Sequence, residues 1–323
     1  MLLFTADLHI KIGQDGVPPE WVMNRFELFE TQLLTMIKNN NVKLLIIGGD
    51  LLDRVPSGKN GVKEVAMFLH LVSILPVRTI IYSGNHEAIT KTTTFLSDFK
   101  HIVYEINPLV TIVDDFYSEE GFDIIPYNRL KSDTDGTYPS TLNNKLLFTH
   151  VRGAIPPHVV PEVSLDRFKK WQLVVAGDLH SYENCQENIL YPGSPYTTSF
   201  HRNRVKTGAI LLDTLTLQHE WLEFNLPQMI RKTINVGDPM PQDDFDLISY
   251  EVEGNIVDLS SITNKDIIKK LQHTKKDSSL ILKKGMSIIE ELREYFLYVS
   301  MLEPNYVDKL LLEYSDINPE AKL

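Results

Sequence analysis

Five short apolar runs, each ending on an oxygen or imidazole donor, constrain this chain more than any other feature. They are "MLLFTA", "VKLLIIGG", "VRTIIYSG", "NKLLFTH" and "WQLVVAG". Asp7 and His9 follow the first, Asp50 and Asp53 the second in "GGDLLDR", and Asn85, His86 and Glu87 the third in "GNHE". The fourth ends on His150 in "FTHVRG", and the fifth leads to Asp178 and His180. Between the first two, Phe26, Phe29, Leu33 and Ile37 recur at helical spacing, and "GVKEVAMFLHLVSIL" behaves similarly after the second. Strand-like runs alternating with helical stretches predict an α/β domain. In a parallel or mixed sheet the carboxyl ends of the strands share one edge, where ligands bind. Five runs therefore aim their donors at one crevice.

A lone Asp-x-His is a weak signal, and "GGDLLD" or "GNHE" alone reads as a turn. Their conjunction, in this order, points to a site. Carboxylate, amide oxygen and imidazole suit Mn²⁺, Fe²⁺, Zn²⁺ or Mg²⁺, and no thiolate takes part. The donors are too many for one ion and about right for two sharing a bridging carboxylate. Two ions ~3.5–4 Å apart form the usual clamp for displacement at phosphorus.

The 323 residues suit one large domain with one or two small ones. The α/β region closes on a hairpin pattern, "GAILLD" and then "LQHEWLEF". Pro227 and "VGDPMPQDD" mark a boundary. Beyond it, "FDLISYEVEGNIVDL" reads as two short strands and "TNKDIIKKLQH" as a helix capped by Thr263 or Asn264, a small α+β module. In the tail, Ile288, Leu292, Phe296 and Val299 share a face, and Pro304 starts a second helix carrying Val307, Leu310, Leu311 and Tyr314. The expected domains are 1–226, 227–285 and 286–323.

A net charge of −11 argues against nucleic-acid binding by bulk attraction. The charge is uneven: seven lysines face two aspartates from Lys265 to Gly285, while acids dominate from Met286 onward. Both segments read equally well as solvated faces. A single cysteine, Cys185, excludes an intramolecular disulfide and fits a reducing, cytoplasmic setting. "MLLF" is too short for a signal peptide, and no apolar run is long enough to span a bilayer, so no membrane role is expected.

The ordered set "DLH", "GDLLD", "GNHE", "THV" and "GDLH" resembles the five motifs of calcineurin-like metallophosphoesterases, over roughly residues 1–225. Within that superfamily the chain is similar to the SbcD-type DNA-repair nucleases of the meiotic-recombination nuclease family, bacterial or bacteriophage. "LYPGSPYTTSF" (190–200) resembles their Pro-Gly-Ser-Pro element. The resemblance implies an α/β sandwich of mixed β-sheets flanked by helices, a small α+β capping domain that binds DNA, and a C-terminal helix–loop–helix. It also implies that Asp7, His9 and His180 hold one metal, that Asn85, His150 and Asp178 hold the other, and that Asp50 bridges. His86 is then the catalytic proton donor beside the phosphate, with Asp53 and Glu87 orienting the groups around it. The implied activity is Mn²⁺-dependent, or with Mg²⁺ as the alternative: 3′→5′ exonuclease action on duplex DNA and endonuclease action on single strands. The implied partners are DNA, an SMC-like SbcC-type coiled-coil ATPase gripped by residues 286–314, and a second copy in a homodimer.

One departure stands out. The family writes Gly-His-x-His where this chain has Asp178. With Asp7 and Asp50, a third carboxylate lowers the formal charge of a two-ion cluster from +2 to +1. That predicts a preference for harder ions, Mn²⁺ or Mg²⁺, and an alkaline pH optimum. Candidate substrate contacts are Arg54 and Arg152, just past motif residues, and Arg202 and Arg204 in "HRNRVK". The alternatives are a phosphoesterase for small phosphodiesters or phosphoproteins, and a catalytically weak scaffold that recruits the ATPase to DNA ends.

Overall fold

The first three apolar runs form parallel neighbours, β1 (Leu2–Thr5), β2 (Leu44–Gly48) and β3 (Arg78–Tyr82), in the computed structural model of the protein. The structure describes residues 1–132, 138–254, 259–260, 262, 268–271 and 285–317. β4 (Val110–Val113) extends this sheet beyond β3, parallel to it. On its other side β10 (Gly208–Leu212) runs antiparallel to β1 and pairs with β11 (His219–Glu223) as the expected hairpin. The sheet order is β11-β10-β1-β2-β3-β4.

The fourth and fifth apolar runs do not join that sheet. They are β7 (Leu146–His150) and β8 (Leu173–Gly177), the centre of a second sheet with β5 (Tyr117–Glu119), β6 (Phe122–Ile125) and β9 (Ile189–Leu190). Its order is β5-β6-β7-β8-β9, parallel except for β5. Alternation along each strand decides what packs where. Leu2 and Phe4 meet Leu146 and Phe148 between the sheets, with the Phe4 and Phe148 rings stacked at 5.5 Å. Leu3, Leu45, Ile47 and Ile81 point the other way, into α1 (Pro19–Asn39), α2 (Gly58–Ile74) and α3 (Lys100–Ile106). Leu147, Val174 and Ala176 cover the outer face of the second sheet with Phe168 and Trp171. Both faces of these strands are buried, which is why the runs are continuously apolar rather than alternating.

β12 (Met229–Asn235) and β13 (Leu247–Gly254) belong to a third, smaller sheet. β13 is the first of the two strands expected in "FDLISYEVEGNIVDL"; residues 255–258 of the second lie outside the described residues. The helix expected over "TNKDIIKKLQH" is corrected in its described part, because Ile268–Leu271 is a strand, β14. The β-branched Ile268 there favours extended backbone over a helix. The rest of that stretch, with its proposed caps Thr263 and Asn264 and most of the lysines, lies outside the described residues.

The chain divides into two compact units, Met1–Val252 with Thr263–Ile268, and Glu253–Ile262 with Lys269–Leu323. In the second unit, α4 (Ile288–Tyr298) begins at a reciprocal cap between Ser287 and Glu290. α5 (Pro304–Ile317) starts on Pro304 as expected, and Arg293 and Asp308 join the two helices through an ion pair at 2.6 Å. Val307 and Leu311 are buried, whereas Ile288, Tyr295, Tyr298, Tyr306, Leu312 and Ile317 are exposed. No helix among the described residues is long and apolar enough to cross a membrane.

Candidate metal centre

The donors leave their strands through backbone that L-residues seldom adopt. Asp7, His9, Asp50 and Asp178 all have positive φ, at 58°, 42°, 49° and 98°. Each such residue costs on the order of 1 kcal/mol, held by its surroundings. Those surroundings are visible: Asp7 N–H donates to the Gly49 carbonyl at 3.0 Å and His9 N–H to the Asp50 carbonyl at 2.8 Å, joining the ends of β1 and β2. Glu87, wholly buried, accepts from the backbone N–H groups of Asp50, Leu52 and Gly84 at 3.1, 2.9 and 2.8 Å. Burial and the nearby Asp50 charge push its carboxyl up to about 7. Gly84 has no alternative, because a Cβ there would sit 2.2 Å from Asp50 Oδ1.

One group of donors is Asp7, His9 and His180, whose ligand atoms lie within 4.8 Å of one another. His9 Nε2 and His180 Nε2 are 3.1 Å apart, and His180 Nε2 is 4.0 Å from Asp7 Oδ1. Thr198 Oγ1 meets His180 Nδ1 at 3.1 Å, which turns Nε2 toward the group. Burial of its nitrogens and the neighbouring His9 push the His180 imidazole down to about 3, so it is neutral. Asp7 is fully buried, and that burial raises its carboxyl well above the usual range.

The other group gathers around Asn85. The outer atom of its amide lies 3.0 Å from His150 Nε2, 3.2 Å from Asp178 Oδ1 and 3.3 Å from Asp50 Oδ2. With its oxygen inward, four electron-pair donors face one another, which is unfavourable unless a cation lies among them. Rotated, the amide turns its two N–H groups toward the Asp50 and Asp178 carboxylates. His150 Nδ1–H donates to the Gly48 carbonyl at 2.9 Å, which leaves Nε2 facing inward. Asp50 stands between the groups, its Oδ2 3.6 Å from His9 Nε2 and 3.4 Å from His150 Nε2. Burial alone would raise Asp50, but His150, His9 and His86 together hold it well below the carboxylate range. For His150 burial alone would lower the ring, but Asp50 raises it well above its ordinary value. The donor set, hard oxygens and imidazoles turned inward from both sides of Asp50, fits divalent ions.

His86 is at the rim with its side chain 35% exposed, Nε2 3.8 Å from Asp50 Oδ2. A short hydrogen bond joins its Nδ1 to the Asp53 carbonyl, which can only accept, so Nδ1 carries a proton. The Asp53 carboxylate meanwhile receives Lys11 Nζ at 2.8 Å and lies 3.6 Å from His9 Nδ1. Against the upward push of burial, His9 and Lys11 hold that carboxyl below its ordinary range.

All ten motif residues are thus brought together, and each of the four arginines is engaged by a carboxylate of the chain. Arg152 forks onto Asp178, Nε to Oδ2 at 3.1 Å and Nη2 to Oδ1 at 3.2 Å. Arg54 lies 3.8 Å from Glu64. Arg202 bonds Thr233 and Glu251, and Arg204 bonds Asp246 and the Leu226 carbonyl. Sequence reasoning missed Lys11, Thr198 and Ser194, whose hydroxyl donates to the Asp7 carbonyl at 2.7 Å. The last two lie in "LYPGSPYTTSF", a stretch the motif analysis singled out without assigning its hydroxyls a role.

A family model for calcineurin-like phosphoesterases matches residues 1–182. Over 321 residues, 96% of this chain and 96% of the relative, the sequence is 40% identical to a protein of Escherichia phage T5 named "Probable exonuclease subunit 1". A protein of Invertebrate iridescent virus 3 named as a phosphoesterase, 078R, is 23% identical over 257 residues, 73% of this chain and 70% of its own. Among solved structures, TT1561 of Thermus thermophilus matches 69% of this chain and 98% of its own, at 13% identity and a TM-score of 0.42.

Proposed function

The chain belongs to the calcineurin-like phosphoesterase family, metal-dependent hydrolases of phosphodiester bonds, and from that premise we propose that it cleaves DNA as the nuclease subunit of an SbcCD-like end-processing complex. The observation that carries the reading is the Asp50 carboxylate lying between two inward-facing donor groups, with His86 at the rim. The phage relative named as an exonuclease subunit, aligned over nearly its whole length, supports DNA as the substrate and a multi-subunit setting.

In this reading Asp7, His9 and His180 would hold one ion and Asn85, His150 and Asp178 the other, with Asp50 available to both, Mn²⁺ preferred and Mg²⁺ the alternative. When bound, the ions neutralise the phosphoryl oxygens and acidify the attacking water. The chain's own part is positioning. Thr198 and the Gly48 carbonyl aim His180 and His150, and Glu87 ties the Asp50, Leu52 and Gly84 backbone together. With Nδ1–H committed to the Asp53 carbonyl, His86 keeps Nε2 at the edge of the cluster, 3.8 Å from Asp50 Oδ2, and protonated it would donate to the departing ester oxygen.

The test is purified protein with end-labelled duplex DNA and Mn²⁺, beside His86→Ala. Wild type should shorten the duplex from its 3′ ends and nick single strands. The variant should lose roughly 10²–10⁴ in rate, in line with loss of an acid–base group, and still bind Mn²⁺. Hydrolysis of bis-p-nitrophenyl phosphate with DNA left untouched would favour a small-phosphodiester enzyme. Equal activity of the two proteins would remove His86 from the mechanism.

A further inference from the structure

We infer that Arg152 is a positioning residue for the second metal position: its guanidinium cancels the charge of Asp178, so that this aspartate acts electrostatically as the neutral ligand it replaces. The inference rests on the two-ion reading above and adds a specific control on the weaker ion. Asp178 contributes one oxygen to the donor group, Oδ1, 3.2 Å from the Asn85 amide and 4.0 Å from His150 Nε2. Both of its oxygens are also engaged from outside by the planar fork of Arg152. A bidentate guanidinium–carboxylate pair has fixed geometry as well as charge, which Lys cannot reproduce. The Asp178 side chain is only 6% exposed while that of Arg152 is 45% exposed, so the carboxylate is the buried member of the pair and the guanidinium the solvent-facing one.

Charge bookkeeping gives the consequence. Three carboxylates against two divalent ions leave +1; with Arg152 the local total returns to +2. The electron density that Asp178 Oδ1 can give an ion is shared with Nη2–H, so the second ion is held less tightly than by a free carboxylate. Glu162 and Tyr127 also act on Arg152, and Glu162 draws it further toward the charged form. Removing the guanidinium therefore frees an anionic ligand. It also releases one rotamer restraint on Asp178, but the Asp178 backbone stays fixed by its N–H donating to both Asp7 oxygens at 3.0 and 3.2 Å. The charge effect is the larger: one charge acting on a divalent ion through water-like dielectric, at the ~6 Å expected with a carboxylate between them, is worth about a factor of ten.

The experiment is calorimetric titration of the full-length, chelator-treated protein with MnCl₂ at fixed pH and without DNA. Wild type should take up two ions of unequal affinity. Arg152→Ala should tighten the weaker step about ten-fold, and Arg152→Lys, keeping charge without the fork, should stay nearer wild type. In an Asp178→His background the guanidinium loses the carboxylate that holds it beside the site, so Arg152→Ala should change the weaker step less than about two-fold. Because Arg152 is half-exposed the variants should fold, which circular dichroism checks. An unchanged or loosened weaker step in Arg152→Ala, or an equal effect in both backgrounds, overturns the inference alone. Wild type that binds no Mn²⁺ overturns the two-ion reading with it.

Discussion

His150 donates Nδ1–H to the Gly48 carbonyl, and the Asp50 carboxylate, 3.4 Å from Nε2, favours a second proton there and raises the ring well above its ordinary value. A divalent ion needs the Nε2 lone pair, so binding must expel that proton. The sign follows from a raised folded value: below it the proton competes and affinity is low, and affinity rises with pH until the ring is neutral. Mn²⁺ titrations in buffers of different ionisation heat should show net proton release near neutral pH, from His150 and from Asp7, whose carboxyl is also raised. An absence of buffer dependence would remove His150 from the ligand set. His180, already neutral, should release none. At this scale the donors themselves were legible in the sequence, since each ends a run. The pairing of Arg152 with Asp178 was not, because the two residues lie in different loops and only the fold sets one guanidinium against one carboxylate. The pairings of Arg202 and Arg204 were not legible for the same reason: their acidic partners, Glu251 and Asp246, are more than forty residues downstream.

The strands were legible as elements because burial on both faces makes a parallel strand a continuous apolar run. Their division into two sheets was not, since pairing depends on partners distant in sequence, and five similar runs do not say which lie side by side. A helix over Ile268–Leu271 failed for a related reason: a short stretch with both periodicities is decided by its surroundings. Element ends are more tightly determined than their interiors, and the turn after β3 shows why. Gly84→Ala should drive a methyl into Asp50 Oδ1 and cost ~1–3 kcal/mol, read as a lower melting temperature together with a loss of Mn²⁺ affinity. Gly58→Ala is the control: a Cβ there meets nothing within 4 Å, though its φ of +62° adds some strain. The melting point should fall less and Mn²⁺ affinity should be unchanged. Equal losses of Mn²⁺ affinity in both variants would argue that the close approach at Gly84 is not what shapes the site.

At the scale of the whole chain, the second unit holds α4 and α5, which bury Val307 and Leu311 yet expose Ile288, Tyr295, Tyr298, Tyr306 and Leu312. We propose this apolar surface as the docking face for the coiled-coil ATPase. Truncation before Met286 should abolish co-purification with such a partner and leave the melting of the sandwich unchanged; unfolding of the sandwich would mean that the tail belongs to its core. Chelation gives the complementary prediction. Saturating Mn²⁺ at a hundred times its Kd should add about 2.7 kcal/mol to stability, a rise in melting temperature that excess chelator reverses. A further consequence comes from where the donors originate. Asp7, His9, Asp50 and Asn85 follow strands of one sheet, and His150, Asp178 and His180 end or follow strands of the other. The apolar core joins the sheets along their length, but at this edge the junction is polar, held by Asp178 N–H on the Asp7 carboxylate and His150 Nδ1–H on the Gly48 carbonyl, and ions bound among these donors would add to that hold. Breathing of the sandwich should therefore begin here, and amide hydrogen exchange at Gly84 and Asp178 should report ion occupancy before any global change in stability does.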